Sequence, residues 1–168
     1  MAATATPQDA KARASHADHD ALRLWLRLLA CSTLIERDIR ARLRARFGIT
    51  LARFDVLAQL ARAPAGLRMQ ELSRRLMVTG GNVTGLAREL VAEGLVERHT
   101  GAADRRVQVV RLTARGRRSF EVMAAEHERW VVERLAALDR RERATLHAAL
   151  GRLKDALGAG APHQEDSP

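Results

Sequence analysis

The stretch Met69-Gln-Glu-Leu-Ser-Arg-Arg-Leu76, followed by Thr79-Gly-Gly-Asn-Val-Thr-Gly-Leu-Ala-Arg-Glu-Leu-Val-Ala-Glu-Gly94 and Leu95-Val-Glu-Arg98, decides the fold. Leu72, Leu76 and Val78 share one side of a short helix and its turn. Val83, Leu86, Ala87 and Leu90 share one side of the next, at helical spacing. Thr79 is placed to cap that second helix, and Gly94 to end it. Gly81, Asn82, Thr84, Gly85 and Arg88 fall on the opposite face over about two turns. Asn82 can read a base edge, and Thr84 can bond a phosphate or meet a thymine methyl. Gly81 and Gly85 each cost about 1 kcal/mol relative to Ala in a helix interior. Close approach to DNA explains that cost; a weak helix docking on a protein partner is the other reading.

Two strands are expected next, Leu95 to Arg98 and Val107 to Leu112, with Thr100 to Asp104 as the hairpin tip. From Arg98 to Arg118 there are seven Arg and one acid, Asp104. Asp104 can orient Arg106 through a charge-assisted bond, and an oriented Arg beside Arg105 suits a narrow minor groove. A two-stranded hairpin is marginal by itself, so it must pack on the helices as a wing.

Outward from this centre, Asp18 to Phe47 forms one long helical pattern with a basic second half, ended by Gly48. Thr50 caps a helix over Leu51 to Arg62. Thr113 caps another over Ala114 to Ala137. Asp139 and Glu142 make a capping box for a last helix ending near Leu157. The expected division is an arm over 1–17, a first helix over 18–48, a winged helix-turn-helix over 49–113, C-terminal helices over 114–158 and a tail over 159–168. The fold class is mainly α with a small two- or three-stranded wing.

The chain has 168 residues, and 27 of its 29 basic side chains are Arg; the net charge is +9. Residues 1–67 carry +5, residues 68–118 carry +6, and residues 119–168 carry −2. Codon usage can enrich Arg, but the segregation points to a polyanion. A lone Cys31 excludes an internal disulfide framework. No apolar run reaches membrane-span length and no signal-peptide pattern opens the chain, so a soluble, cytoplasmic protein is expected.

The segments Leu72-Ser-Arg-Arg-Leu76, Asn82-Val-Thr84, Glu93-Gly-Leu-Val-Glu-Arg98, Asp104-Arg-Arg106 and Leu112-Thr-Ala-Arg-Gly116 together resemble MarR-family transcriptional regulators. The resemblance spans about Ala21 to Leu157. It implies a winged helix-turn-helix homodimer on a double-stranded DNA operator, usually a repressor released by a small ligand. It also implies that Asn82 to Arg88 reads the major groove and Arg106 the minor groove. Gly85 departs from the pattern, since many members carry a basic or larger polar residue there.

Wide apolar stripes on the first, fifth and sixth helices fit a helical dimer interface, with a monomer core as the alternative. Trp25, Leu29, Arg53, His127 and Trp130 form the candidate ligand pocket, for an aromatic compound whose acid group meets Arg53. Rings that merely fill the dimer core are the other reading. Leu22 to Leu29, Ser73 to Val78 and His127 to Val131 resemble a MarR subgroup that senses hydroxycinnamoyl-CoA thioesters, which implies control of aromatic acid catabolism. Cys31 is expected to be a buried small hydrophobe, since the thiol-sensing branch uses tyrosines and this chain has none. His16, Asp18, His19 and Asp20 lack firm metal-site geometry. No cofactor, metal or enzymatic constellation is read.

Overall fold

The computed structural model describes residues 7–76, 80–100 and 108–159. Six helices and a small sheet follow one another. These are α1 (Pro7–Phe47), α2 (Leu51–Ala61), β1 (Leu67–Arg68), α3 (Met69–Leu76), α4 (Gly80–Ala92), β2 (Val96–Thr100), β3 (Gln108–Leu112), α5 (Ala114–Arg134) and α6 (Arg140–Ala159). The mainly helical fold with a three-stranded wing matches the expected winged helix-turn-helix.

The expected caps take their expected geometry. Gly48 has a φ of 66°, and its N–H donates to the Arg44 carbonyl at 3.0 Å. The Thr50 hydroxyl accepts from the Arg53 N–H at 3.3 Å. Gly94 ends α4 in the left-handed region, with a φ of 68°. Its N–H donates to the Val91 carbonyl, and that of Leu95 to the Leu90 carbonyl at 3.0 Å, so orphan carbonyls are satisfied as the chain reverses into β2. Asp139 and Glu142 each accept the other's backbone N–H at 2.8 Å, the reciprocal capping box.

Two expected helix bounds change, and of the two- or three-stranded wing expected the structure has the three-stranded form. The first helix begins at Pro7 rather than Asp18, because an Ala-rich stretch behind a proline at the first helical position is a good helix start. The fifth helix ends at Arg134, three residues before Ala137, in a run of tight turns. A third strand, β1, joins the wing. Leu67 pairs with Val110 and Arg68 with Val109, giving the order β1-β3-β2.

The core of the first of two compact units, residues 1–128, centres on the helix-turn-helix. Leu57, Leu60, Leu72, Val83, Ala87, Leu90 and Val110 are fully buried. Burial of each leucine contributes about 1.5–3 kcal/mol. Val83, Ala87 and Leu90 are the inward face expected for α4; Leu86 is only half-buried. The second unit, residues 129–168, contains α6, where no residue is buried. Cys31, expected inside, is exposed, because the apolar face of α1 around it is open: Leu26, Leu29 and Leu34 are exposed too.

Candidate nucleic-acid interface

The face of α4 opposite its core stripe carries the residues expected to meet DNA. Gly81, Asn82 and Arg88 are exposed, and Thr84 and Gly85 are half-buried. The inward set recurs at three- and four-residue spacing, so these side chains are forced onto the other side. A Cβ at Gly81 or Gly85 would meet no atom within 4 Å. The space above both glycines is open, and their lack of a side chain serves nothing inside the fold. Asp104, Arg105, Arg106 and Thr79, the expected wing tip and helix cap, lie outside the described residues.

On the wing, Arg111 Nε donates to the Glu97 carboxylate at 2.7 Å, and His99 Nε2 stands 3.1 Å from the same carboxylate. The bonds from His99 and then Arg111 hold the Glu97 carboxyl below its ordinary range. Glu97 and Arg111 are also directly opposed in the ladder, so the charged pair aligns β2 with β3.

The segment Leu112 to Gly116 joins this unit together at the far end of α4. The Thr113 hydroxyl donates to the Gly94 carbonyl at 2.8 Å and accepts the Gly116 N–H at 2.9 Å. One side chain thus caps α5 and ties it to the end of α4. Arg115 Nη1 donates to the Glu93 carbonyl at 3.0 Å. A Cβ at Gly116 would collide with the Leu95 carbonyl, so α5 approaches the α4–β2 turn as closely as backbone allows. The Leu-Thr-x-x-Gly pattern is the chemistry of this joint.

Near it lies a cavity of about 260 Å³, where Phe47, Ile49 and Met123 supply apolar wall and Arg53, Glu93 and Ser119 supply polar groups. Of the five residues expected to form a ligand pocket, Arg53 lines this cavity. His127 stands apart from it, with its ring 5.0 Å from that of Phe54. Trp25 and Leu29 are exposed on α1, and Trp130 is buried on α5. Glu93, Ser119 and Met123 were not singled out from sequence. Only the Glu-Gly helix ending and the apolar stripe of α5 hinted at two of them.

Among the described residues, no cluster of three or more metal-ligating side chains occurs; His16 and Asp18 lie outside the described side chains. No helix is long and apolar enough to cross a membrane among the described residues.

A model of the MarR family matches residues 47–107. A MarR family transcriptional regulator from Silicibacter pomeroyi has a crystal structure that superposes with a TM-score of 0.72 and 34% identity, covering 83% of this chain and 96% of that one. An uncharacterized HTH-type transcriptional regulator of Bacillus subtilis, YdgJ, is 29% identical over 72% of this chain and 73% of its own length. The transcriptional activatory protein BadR of Rhodopseudomonas palustris is 33% identical over 61% of this chain, which spans 59% of that protein. With its core-backed α4, its three-stranded wing and this likeness, the chain belongs to the MarR family of DNA-binding transcriptional regulators, a family of regulators and not of enzymes.

Proposed function

We propose that the protein works in the cytoplasm as a homodimeric, effector-responsive repressor on a palindromic operator, released by a small aromatic acid or aryl-CoA thioester. Asn82, Thr84 and Arg88 read the major groove, and Arg106, set by Asp104, enters the minor groove. The observation that carries the dimer is α6. Twenty residues long, it has no buried residue, yet it presents Leu146, Leu150, Leu153 and Leu157 to solvent. A helix of that length gains most of its stability from packing an apolar face, so a second copy supplies the missing surface. Exposed Leu22, Trp25, Leu26 and Leu29 on α1 add a second such face.

Two-fold symmetry sets two half-sites about one helical turn apart. The test is selection of bound genomic fragments by the full chain, with and without p-coumaroyl-CoA and free aryl acids, followed by a salt series on the recovered operator. The reading expects a palindrome, log-linear loss of affinity with salt, and release by one of the aryl compounds. Salt-insensitive or absent binding would instead support a winged-helix module for protein interaction. The Rhodopseudomonas relative is named as an activatory protein, so a reporter assay must accompany the binding test to fix the sign of regulation.

A further inference from the structure

The register of the wing sorts its charges by face. Leu67, Val96, Val110 and Leu112 are buried on the side that packs against the helices. Alternation along the strands then turns Arg68, Val109, Arg111, Glu97 and His99 to the opposite side. Val109 has Arg68 as its partner on β1 and His99 on β2, and the next row of this face pairs Arg111 with Glu97. Arg68, Arg111 and His99 are exposed. Glu97 is the one acid on this face among the described residues of the three strands. Arg98 stands opposite Val110, on the helix side, and is exposed at its margin.

Two donors share one oxygen here. Arg111 Nε and His99 Nε2 lie 2.7 and 3.1 Å from the same atom, Glu97 Oε1. A guanidinium binds an anion best through two parallel N–H groups, each on its own oxygen, so Arg111 falls short of the strongest bond open to it. The start of β1 closes the other flank. A Cβ at Gly66 would strike Val109 and press on Arg111, which leaves Arg111 the β2 side, where Glu97 and His99 stand. The His99 and Arg111 side chains are each 44% exposed, so an anion from solvent can reach both. An exposed ion pair contributes little to stability, so exchanging Glu97 for another anion costs the fold little.

The charge of this face turns on one proton. With His99 neutral, Arg111 and Glu97 cancel and Arg68 remains. With His99 protonated, a single carboxylate meets three cations. Histidine is the side chain whose charge ordinarily changes between about pH 5 and 8. Glu97 stays ionised across that range, because the bonds from His99 and then Arg111 hold its carboxyl below the ordinary carboxylate range. A hairpin whose tip enters the minor groove brings its strands alongside the phosphates that wall the groove, and those phosphates are the anions at hand.

We propose that this outer face of the wing is a second contact for the DNA backbone, where Arg111 and His99 exchange Glu97 for a phosphate, and that protonation of His99 tightens the contact. It rests on the operator-binding reading and adds a site to it, distinct from α4 and from the hairpin tip. Glu97 is the internal competitor, and acid strengthens the grip on DNA.

The test is titration of the full chain with the selected operator and with a scrambled duplex, at about pH 8 and pH 6, with circular dichroism confirming the fold at both. The wild type should bind both duplexes about fivefold more tightly at the lower pH, with the salt slope raised by about 1. His99→Gln should lose that gain. His99→Arg, with a fixed charge, should bind at the higher pH about as tightly as the wild type does at the lower. Glu97→Gln should tighten binding at both, and a loss of affinity there would show that Glu97 only aligns the hairpin and would overturn the exchange. An acid gain that survives in His99→Gln, or none in the wild type, overturns the proposal and leaves the regulator reading intact. Absence of binding to either duplex at any pH sinks the regulator reading, and this site falls with it.

Discussion

Gly81 and Gly85 sit on the outer side of α4, where a methyl group would touch no protein atom within 4 Å. Packing therefore does not require them, and helix propensity opposes them. Gly85→Ala should stabilise the fold by up to about 1 kcal/mol, seen as a rise in melting temperature. The same variant should weaken operator binding, because the added methyl stands where the helix is to meet the groove. Stabilisation with unchanged operator affinity would remove Gly85 from the interface. Asn82→Ala and Arg88→Ala separate two further roles. Loss of a base contact at Asn82 should cost about 1–3 kcal/mol at one operator position. Loss of a phosphate contact at Arg88 should weaken all sequences alike and lower the salt slope by about 1. A titration of operator and scrambled duplexes at several salt concentrations reads both.

Helix ends were the most legible elements, because their signals are local. Thr50, Gly48, Gly94 and the Asp139–Glu142 pair each fix a boundary through bonds within a few residues. Strand β1 was illegible for the opposite reason. Two residues carry no periodicity, and Leu67 belongs to the sheet only because Val110, far along the chain, pairs with it. The cavity was hidden in the same way, since Phe47, Arg53 and Ser119 come from three separate helices and Glu93 from the turn after α4. The Leu-Thr-x-x-Gly pattern lay between these cases: visible as a motif, but explained only by the joint it builds. Gly116→Ala tests that joint. Its Cβ would meet the Leu95 backbone, which cannot turn aside as a flexible side chain could. Overpacking typically costs about 1–3 kcal/mol, and the upper end is expected here. Thr113→Val should cost about 1 kcal/mol through the lost cap, with α5 fraying at its first turn in hydrogen exchange.

At the scale of the whole molecule, the positive excess over residues 1–67 is more committed than its +5 suggests. Arg40 pairs with Glu36, Arg42 with Asp38 at 2.9 Å, and Arg46 with Glu126 at 3.0 Å. Arg53 is engaged by Glu93. Glu36 and Asp38 are already counted in the +5, but Glu93 and Glu126 lie outside the segment, so part of its excess is engaged by the rest of the fold, and the case for DNA rests on α4 and the wing. A second whole-molecule property is acid sensitivity. Burial lowers the pKa of His127, against a smaller opposing pull from Asp55. The unfolded chain then binds this proton more readily, so stability falls as pH drops through 6.5 toward the folded value. Burial also raises the pKa of Asp55, which His127 and Arg40 pull down and Glu36 pushes up. That carboxyl adds stability below 3.8 and loses it as pH rises through its folded value, so its contribution has the opposite sign. His127→Phe keeps a ring against Phe54 and removes the titrating nitrogen. Its melting temperature should fall less than that of the wild type between pH 7.5 and 5.5; an equal fall would place the acid sensitivity elsewhere.

Assembly belongs to this scale as well. Leu150 and Leu153 are exposed on a helix with nothing buried, and the wild type should run at about twice its 18.6 kDa chain mass in light scattering. Leu150→Asp with Leu153→Asp places two charges where a partner's apolar surface is expected, and burying unpaired charge is strongly unfavourable. The double variant should therefore be monomeric. Operator affinity should drop with it, because two half-sites bound by linked heads gain from effective concentration and a monomer forfeits that gain. The helix-turn-helix core lies in the other compact unit, so near-ultraviolet and melting signals from residues 1–128 should persist. A variant that stays dimeric would assign the partner surface to α1 and leave α6 for something else.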